Sequence, residues 1–162
     1  MAAAAGVLLL QACATSQDSE APPDWVLNPV GQGIAATGCA SWSDAMNIDR
    51  QAAMANARVA LAQQIEVNVS AVDKLIAEKS GGAVTRNTFE SISEQRTDQV
   101  LRSASATRVE IVEFGGQKQL CAQVELGEAA TQDLFQNLVS TSPVQLSAEE
   151  EAELYMAFTS TG

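Results

Sequence analysis

AMANARVALAQQIEVNVS, residues 53–70, sets the architecture of the chain, and its hydrophobic pattern changes partway along. Up to about Gln63, apolar side chains recur every three or four residues, which predicts an alanine-rich helix with one buried stripe. The stripe consists of Met54, Ala57, Leu61 and Ile65. Over residues 65–72 apolar and polar side chains alternate, and this period of two predicts a strand. The helix is expected to begin near Ser43 or Asp44, either of which can cap it.

A second alternating stretch lies before the helix. Residues 33–42, GIAATGCASW, place small and apolar side chains on one face and more polar ones on the other, which predicts a strand. A strand, a helix and a strand in this order suggest a crossover unit. Such a unit is right-handed if its two strands are parallel.

The C-terminal half contains the pattern of a β-hairpin. Residues 107–126, TRVEIVEFGGQKQLCAQVEL, form two runs around Gly115 and Gly116, which can supply the positive φ angles of a two-residue turn. Apolar residues of the second run share one face, namely Leu120, Ala122, Val124 and Leu126. Residues 128–139 are expected to form a helix. Residues 146–158, LSAEEEAELYMAF, predict a short helix whose first-turn acids complement its dipole.

The stretch before the hairpin is ambiguous. Residues 87–104, NTFESISEQRTDQVLRSA, are polar on both faces if extended, and as a helix they carry only a thin apolar stripe. The stripe consists of Phe89, Ile92 and Val100. We favour a long polar strand and take Asn87–Ala104 as a candidate contact strip for other proteins.

Together these elements predict an α+β domain over residues 24–142. An antiparallel or mixed sheet of about four to five strands packs against one long alanine-rich helix, and C-terminal helices follow. Residues 143–162 are expected to form an acidic helix or tail.

Composition limits the chemistry of the chain. Its 162 residues include 9 basic and 20 acidic residues and no histidine, for a net charge of −11. Nucleic acid is a poor partner for such a chain, because phosphate binding needs clustered Lys and Arg. Without histidine, Ser-His-Asp and Cys-His catalysis and the usual His-containing zinc sites cannot be built. We therefore expect no enzyme activity, no cofactor and no metal.

The N-terminus has the pattern of a lipoprotein signal. Residues 2–10 are small and apolar; they are too few to span a membrane, which takes about 20 residues, but suit the core of a signal peptide. The sequence LQAC that ends at Cys13 then resembles a bacterial lipobox, whose cysteine carries a diacylglycerol and, after cleavage, an acylated amino group. We expect residues 1–12 to be a signal peptide and residues 13–23 to be the lipidated cysteine and a flexible tether.

Two further features bear on this signal. No Lys or Arg precedes Arg50, although a signal peptide normally begins with a positive segment, which leaves open a true start upstream of Met1. A buried N-terminal strand or helix is the alternative for this stretch. By analogy with lipoprotein sorting in Gram-negative bacteria, the non-acidic Ala14 indicates the outer membrane, with the domain facing the periplasm or the cell surface.

The remaining cysteines and the two tryptophans are ambiguous. Cys39 and Cys121 fall on the less apolar faces of their predicted strands. If those strands are neighbours, an oxidising periplasm permits a disulfide; two separate, half-buried thiols are the alternative. We interpret Trp25 and Trp42 as core anchors rather than as a ligand-binding pair.

Three stretches carry a family resemblance. They are PDWVLNP (23–29), GIAATGCAS (33–41) and AMANARVALA (53–62), the last of which fits an A-x-x-x-A-R-x-x-L-A helix signature. With the lipobox they resemble the LPP-twenty family of bacterial lipoproteins over residues 23–126. The resemblance implies a surface or outer-membrane lipoprotein without known enzymatic chemistry, and only Cys13 maps onto a functional position, the lipid attachment site. One branch, the flagellar outer-membrane lipoprotein P, supports motility.

The expected function follows from the resemblance and the composition. It is a non-enzymatic structural or assembly factor of the cell envelope, with flagellar motility as its more specific form. Its expected partners are the outer membrane through the lipid anchor, other envelope or flagellar proteins, and further copies of the chain. The alternative is a periplasmic binding module for a small envelope ligand or a cell-wall fragment.

Overall fold

A computed structural model describes residues 21–79, 101–142 and 144–160. Helices and strands in these ranges confirm the expected α+β class. The helices are α1 (Asp24–Leu27), α2 (Met46–Lys79), α3 (Glu128–Ser140) and α4 (Ala148–Ser160), and the strands are β1 (Ile34–Ser41), β2 (Ser105–Phe114) and β3 (Gln117–Leu126). Residues 101–103 are also helical.

The strands form one antiparallel sheet in the order β1-β3-β2. β2 and β3 are the expected hairpin, and Gly115 and Gly116 make its turn with φ angles of 60° and 73°. β1, which the alternation of residues 33–42 predicted, pairs with β3 along its whole length. Both pairings are antiparallel, so the described strands contain no parallel crossover unit, contrary to expectation.

α2 is far longer than predicted. It runs for 34 residues without interruption, so the predicted helix end near Gln63 and the predicted strand over residues 65–72 are both wrong. The apolar residues of that stretch satisfy a helical period as well as an alternating one. Ile65, Val69, Val72 and Ile76 are buried at intervals of four, three and four residues, whereas Val67 is 52% exposed. Packing along this stripe outweighs the weak preference of β-branched residues for strands.

Within the described residues the sheet has three strands rather than four to five. One of the missing strands is the part of α2 just described. The other was expected within residues 87–104. Residues 80–100 lie outside the described part of the chain, while residues 101–103 are helical and Ala104 is buried in the core. The described end of this contact strip is therefore not extended, but Arg102 and Ser103 in it are exposed, and the strip stays a prediction.

α2 covers one side of the sheet, called the inner face below. Ala57, Leu61 and Ile65 from the helix pack in one cluster with apolar residues of β1 and β3. The strand residues are Ile34, Ala36, Val124 and Leu126. Gly38 permits the close approach, because a Cβ there would overlap the Ala57 nitrogen and lie 2.5 Å from the Asn56 carbonyl carbon. Small residues on both sides thus set a short distance between helix and sheet.

The C-terminal helices belong to the same core. Leu154 and Phe158 of α4 are fully buried and join the cluster that α2 forms with the sheet. Phe135 of α3 contacts the rings of Tyr155 and Phe158, with ring centroids 5.1 Å and 5.7 Å away. The acidic segment after residue 143 therefore contains a docked helix.

Candidate functional site

Two of the sequence-predicted site residues meet in the structure. Cys39 of β1 and Cys121 of β3 stand directly opposite each other in the strand register and are joined in a disulfide. The bond lies on the side of the sheet that faces away from α2, called the outer face below. Cys121 is fully buried. Of the two alternatives for these cysteines, the structure has the bonded one.

The third sequence-predicted site residue, Cys13, lies outside the described residues. The first described element after it is α1, which begins at Asp24. α1 leads into residues 28–33, and together residues 24–33 form a segment, called the strap below, that crosses the outer face before β1 starts. The strap therefore connects the candidate lipid anchor to the domain.

Polar side chains of the outer face hold the strap. The Thr37 hydroxyl donates a hydrogen bond to the Trp25 carbonyl oxygen at 3.1 Å, and the Gln123 amide donates to the Val30 carbonyl oxygen at 2.9 Å. The Gln32 backbone N–H donates to the Glu125 carboxylate at 2.6 Å. These bonds join residues far apart in sequence, so sequence patterns do not reveal them.

Trp25 is the largest side chain of the strap. The Arg108 guanidinium carbon lies 4.6 Å from the centroid of its ring, and Arg108 Nε is 2.8 Å from the Glu110 carboxylate. The register places Arg108 opposite Gln123 and Glu110 opposite Cys121, so both residues belong to the outer face. The indole N–H of Trp25 is buried without a hydrogen-bond partner among the described residues. The arrangement places a half-buried aromatic ring on the outer face, in contact with the Arg108 guanidinium.

Trp42 lies elsewhere. It packs against the small cluster of Ala53, Leu120 and Ala122 on the inner face, and its indole N–H donates to Asp44 at 2.8 Å. The two tryptophans therefore occupy opposite faces of the sheet and do not form one ligand-binding pair.

Asp49 is a buried carboxylate that the sequence did not single out. It accepts hydrogen bonds from the Ser43 backbone N–H and hydroxyl at 2.9 Å and 2.7 Å. These bonds hold the pKa of Asp49 below its ordinary value. They also close the turn between β1 and α2, in which Asp44 has a φ of 63°. The role of Asp49 is to fix the start of α2, for which we had expected Ser43 or Asp44 as the cap.

Asp73 is the second unusual carboxylate of α2. Partial burial raises its pKa to about 6, and its Oδ1 atom has no hydrogen-bond partner among the described residues. Across residues 21–79, 101–142 and 144–160, no group of three His, Cys, Asp or Glu side chains is placed to hold a metal ion. Asp73 therefore stands as a single perturbed group rather than as part of a described metal or acid–base site.

A groove lies between the last two helices, α3 and α4. It has a volume of about 230 Å³ and is called the α3–α4 groove below. Its lining residues are Gln132, Phe135 and Gln136 of α3, and Ala148, Glu151, Ala152 and Tyr155 of α4. Sequence reasoning missed this groove, because it exists only once α4 docks beside α3.

None of the helices in the described ranges is both long enough and apolar enough to span a membrane. No protein-family model, curated protein or solved structure matches this chain. The family resemblance therefore rests on the residues that carry it.

Proposed function

We propose that the chain is a lipid-anchored lipoprotein of the bacterial outer membrane that acts, without enzymatic chemistry, as a structural or assembly factor of the cell envelope. The observation that carries the proposal is the sequence LQAC ending at Cys13, directly after an apolar run of signal-peptide length. The chain has three cysteines, and two of them are bonded to each other. Cys13 is therefore the cysteine that remains available to form a thioether bond to a lipid.

The disulfide supports export from the cytosol. Disulfides persist in oxidising compartments such as the periplasm and are rare where thiols are kept reduced. The bond between Cys39 and Cys121 joins two strands that lie side by side and closes a loop of 82 residues. This support is independent of the N-terminal signal, because it depends on other cysteines in another part of the chain.

The tether length supports action close to the membrane. Residues 14–23 separate Cys13 from Asp24, and even a fully extended chain of that length spans only about 40 Å. A domain held within that distance meets proteins of the membrane and its immediate surroundings. We propose that the function of the domain is to contact such proteins. In the flagellar branch of the family that the chain resembles, the protein supports motility.

Metabolic labelling with palmitate tests the anchor. The full chain should incorporate label, Cys13→Ser should not, and the membrane fraction should lose the Cys13→Ser protein. The matched control is the double variant Cys39→Ala/Cys121→Ala, which keeps Cys13 and should keep the label if the protein accumulates. Label retained by Cys13→Ser would refute the lipid anchor.

Swimming in soft agar tests the more specific role in motility. A deletion strain should swim poorly, and wild-type protein but not Cys13→Ser should restore swimming. Normal swimming of the deletion strain would remove flagellar motility from the proposal and leave the envelope role, which crosslinking to neighbouring envelope proteins then tests.

The alternative, a module that binds a small envelope ligand, is favoured by one feature, the α3–α4 groove. Its volume of about 230 Å³ lies below the 300–1,000 Å³ of typical small-molecule pockets. The groove therefore suits a single side chain better than a cell-wall fragment.

A further inference from the structure

The α3–α4 groove is built from two facing helix stripes. Gln132, Phe135 and Gln136 follow the spacing of one helical face on α3, and Ala148, Glu151, Ala152 and Tyr155 follow the same spacing on α4. The two alanines leave the space that larger side chains would fill. The groove is therefore a consequence of where α4 carries small residues.

The floor of the groove is aromatic. Phe135 is fully buried and contacts the half-buried Tyr155. The two rings meet edge to face, with an interplanar angle of 68°. The exposed amides of Gln132 and Gln136 lie at one rim and the carboxylate of Glu151 at the other. An aromatic floor with a carboxylate and amide oxygens at the rim suits a cation that carries N–H donors.

The acids at the start of α4 have different partners. Glu150 accepts hydrogen bonds from the Ser147 backbone and hydroxyl, and it pairs with Lys79, as does Glu153. Within the described residues Glu151 has no ion pair. Lys79 does not line the groove. Glu151 is thus the acid of this turn whose charge faces the groove without a cation.

The charged side chains of α3 and α4 themselves are all acidic, and Lys79 of α2 pairs with two of them. No Lys or Arg follows Lys118 in the chain, whereas α3 and α4 contain six acids. These are Glu128, Asp133, Glu149, Glu150, Glu151 and Glu153. Such a region attracts cations and repels anions over distances comparable with the screening length.

We propose that the α3–α4 groove binds a lysine or arginine side chain presented by a partner protein. The cationic head contacts Glu151 and the face of Tyr155, and the aliphatic stem lies along Phe135 and the two alanines. A volume of about 230 Å³ accommodates one such side chain. This inference names the chemistry of a partner and so rests on the proposed role in protein contacts. Its test needs no membrane, so its failure leaves the lipid anchor untouched.

Tyr155 makes the test site-specific, because it is the only tyrosine in the chain. Its ring signals in a ¹³C-labelled protein are followed by NMR while the purified full-length chain is titrated with a blocked Gly-Gly-Lys-Gly-Gly peptide. The arginine peptide is tested in the same way, and the norleucine peptide supplies a similar stem without the charge. We expect saturable Tyr155 shifts with a Kd of about 1 mM for lysine and arginine, weakened by salt, and none for norleucine.

Two charge variants in the same helical turn distinguish binding in the groove from general electrostatic attraction to the acidic helix. Glu151→Gln should weaken binding about five-fold, as expected for one partly buried ion pair. Glu149→Gln removes the same charge from the same turn at an exposed position that does not line the groove, and should change the Kd by less than a factor of about two. Both replacements are at the surface, and thermal unfolding confirms that the variants are folded.

Four outcomes would overturn the proposal. Absence of Tyr155 shifts would exclude binding in the groove, and equal binding of the norleucine peptide would mean that only apolar contact matters. Equal loss in the two variants would assign the affinity to the general acidic field. If free butylammonium binds more tightly than the lysine peptide, the groove takes a small amine rather than a side chain of a protein.

Discussion

The two faces of the sheet are built on different principles although they share the same strands. On the inner face, small and apolar residues pack against α2, and Gly38 lets the helix backbone come close. On the outer face, the strands present Thr37, Gln123, Arg108 and Glu110 beside the disulfide. The strap crosses this face and is held there by hydrogen bonds and the contact between Arg108 and Trp25.

The difference shows how a three-stranded sheet can be stable with one apolar side. Close packing of buried apolar area stabilises the inner side. Polar contacts of the partly exposed outer side contribute little each, and the covalent bond contributes much more by restricting the unfolded chain. The stability of the inner face therefore depends on close packing, and the stability of the outer face depends on the disulfide.

Removing the crosslink is expected to have the largest effect. The double variant Cys39→Ala/Cys121→Ala opens a loop of 82 residues and should lower the free energy of unfolding by about 4 kcal/mol. Urea denaturation followed by circular dichroism measures the loss. Reduced wild-type protein should unfold like the variant, and Cys13→Ser should unfold like the wild type. A loss below about 1 kcal/mol would mean that polar contacts alone hold the outer face.

Crowding the inner face should have the next largest effect. Gly38→Ala places a methyl group against the backbone of α2 at Ala57, and should lower the free energy of unfolding by about 3 kcal/mol. Gly127→Ala is the matched control, because a Cβ there meets nothing within 4 Å and the φ of −57° suits alanine. The control should change stability by less than about 1 kcal/mol in urea denaturation. Equal effects of the two variants would contradict a close helix–sheet contact.

Local sequence patterns specified part of this fold. The alternation of residues 33–42 and the paired glycines of the hairpin specified β1, β2 and β3, because strand faces and tight turns are encoded over a few neighbouring residues. The length of α2 was not specified in this way. Residues 65–72 fit both periods, and their burial in the structure comes from packing in one cluster with distant residues such as Leu154 and Phe158 of α4.

The candidate sites show the same limit. Cys39 and Cys121 could be placed on corresponding faces of two strands, but their meeting depended on β1 pairing with β3. The contact between Trp25 and Arg108 and the alignment of Glu151 with Phe135 arise from tertiary packing, for which a single sequence gives no local signal. Asp49 and Asp73 were not singled out from the sequence, because their burial and hydrogen bonding arise only from the folded structure.

Asp73 lies on α2, the helix that covers the inner face, and makes the stability of the protein depend on pH. Its folded-state pKa of about 6 lies above the ordinary value of 3.8 because burial disfavours the charged form. The folded state therefore binds more protons between these values, and the contribution of Asp73 to stability is lost as pH rises from about 4 through 6. Since the group is partly exposed, the loss is about 1 kcal/mol.

Asp73→Asn removes this ionisation. The variant should match the wild type near pH 4 and be more stable by about 1 kcal/mol at pH 7, because it no longer carries a partly buried charge. Urea denaturation of both proteins at half-unit pH intervals measures the difference, so that the other carboxylates cancel. A difference that stays constant over this range would contradict the raised pKa.

The smallest expected effect tests whether polar contacts hold the strap in place. Arg108→Met keeps an unbranched side chain but removes the guanidinium, which lies 4.6 Å from the Trp25 ring centroid and contacts Glu110. The global free energy of unfolding should fall by only about 0.5–1 kcal/mol, because both partners of the ion pair are 45% exposed.

Amide hydrogen exchange should speed up within residues 24–33 and stay unchanged in α2. Arg58→Met, at an exposed position of α2, supplies the control with the same change of charge and should leave exchange in the strap unaltered. If Arg108→Met instead accelerates exchange equally in α2, the outer face and the inner face unfold as one unit. The two faces would then differ in their side chains but not in their local stability.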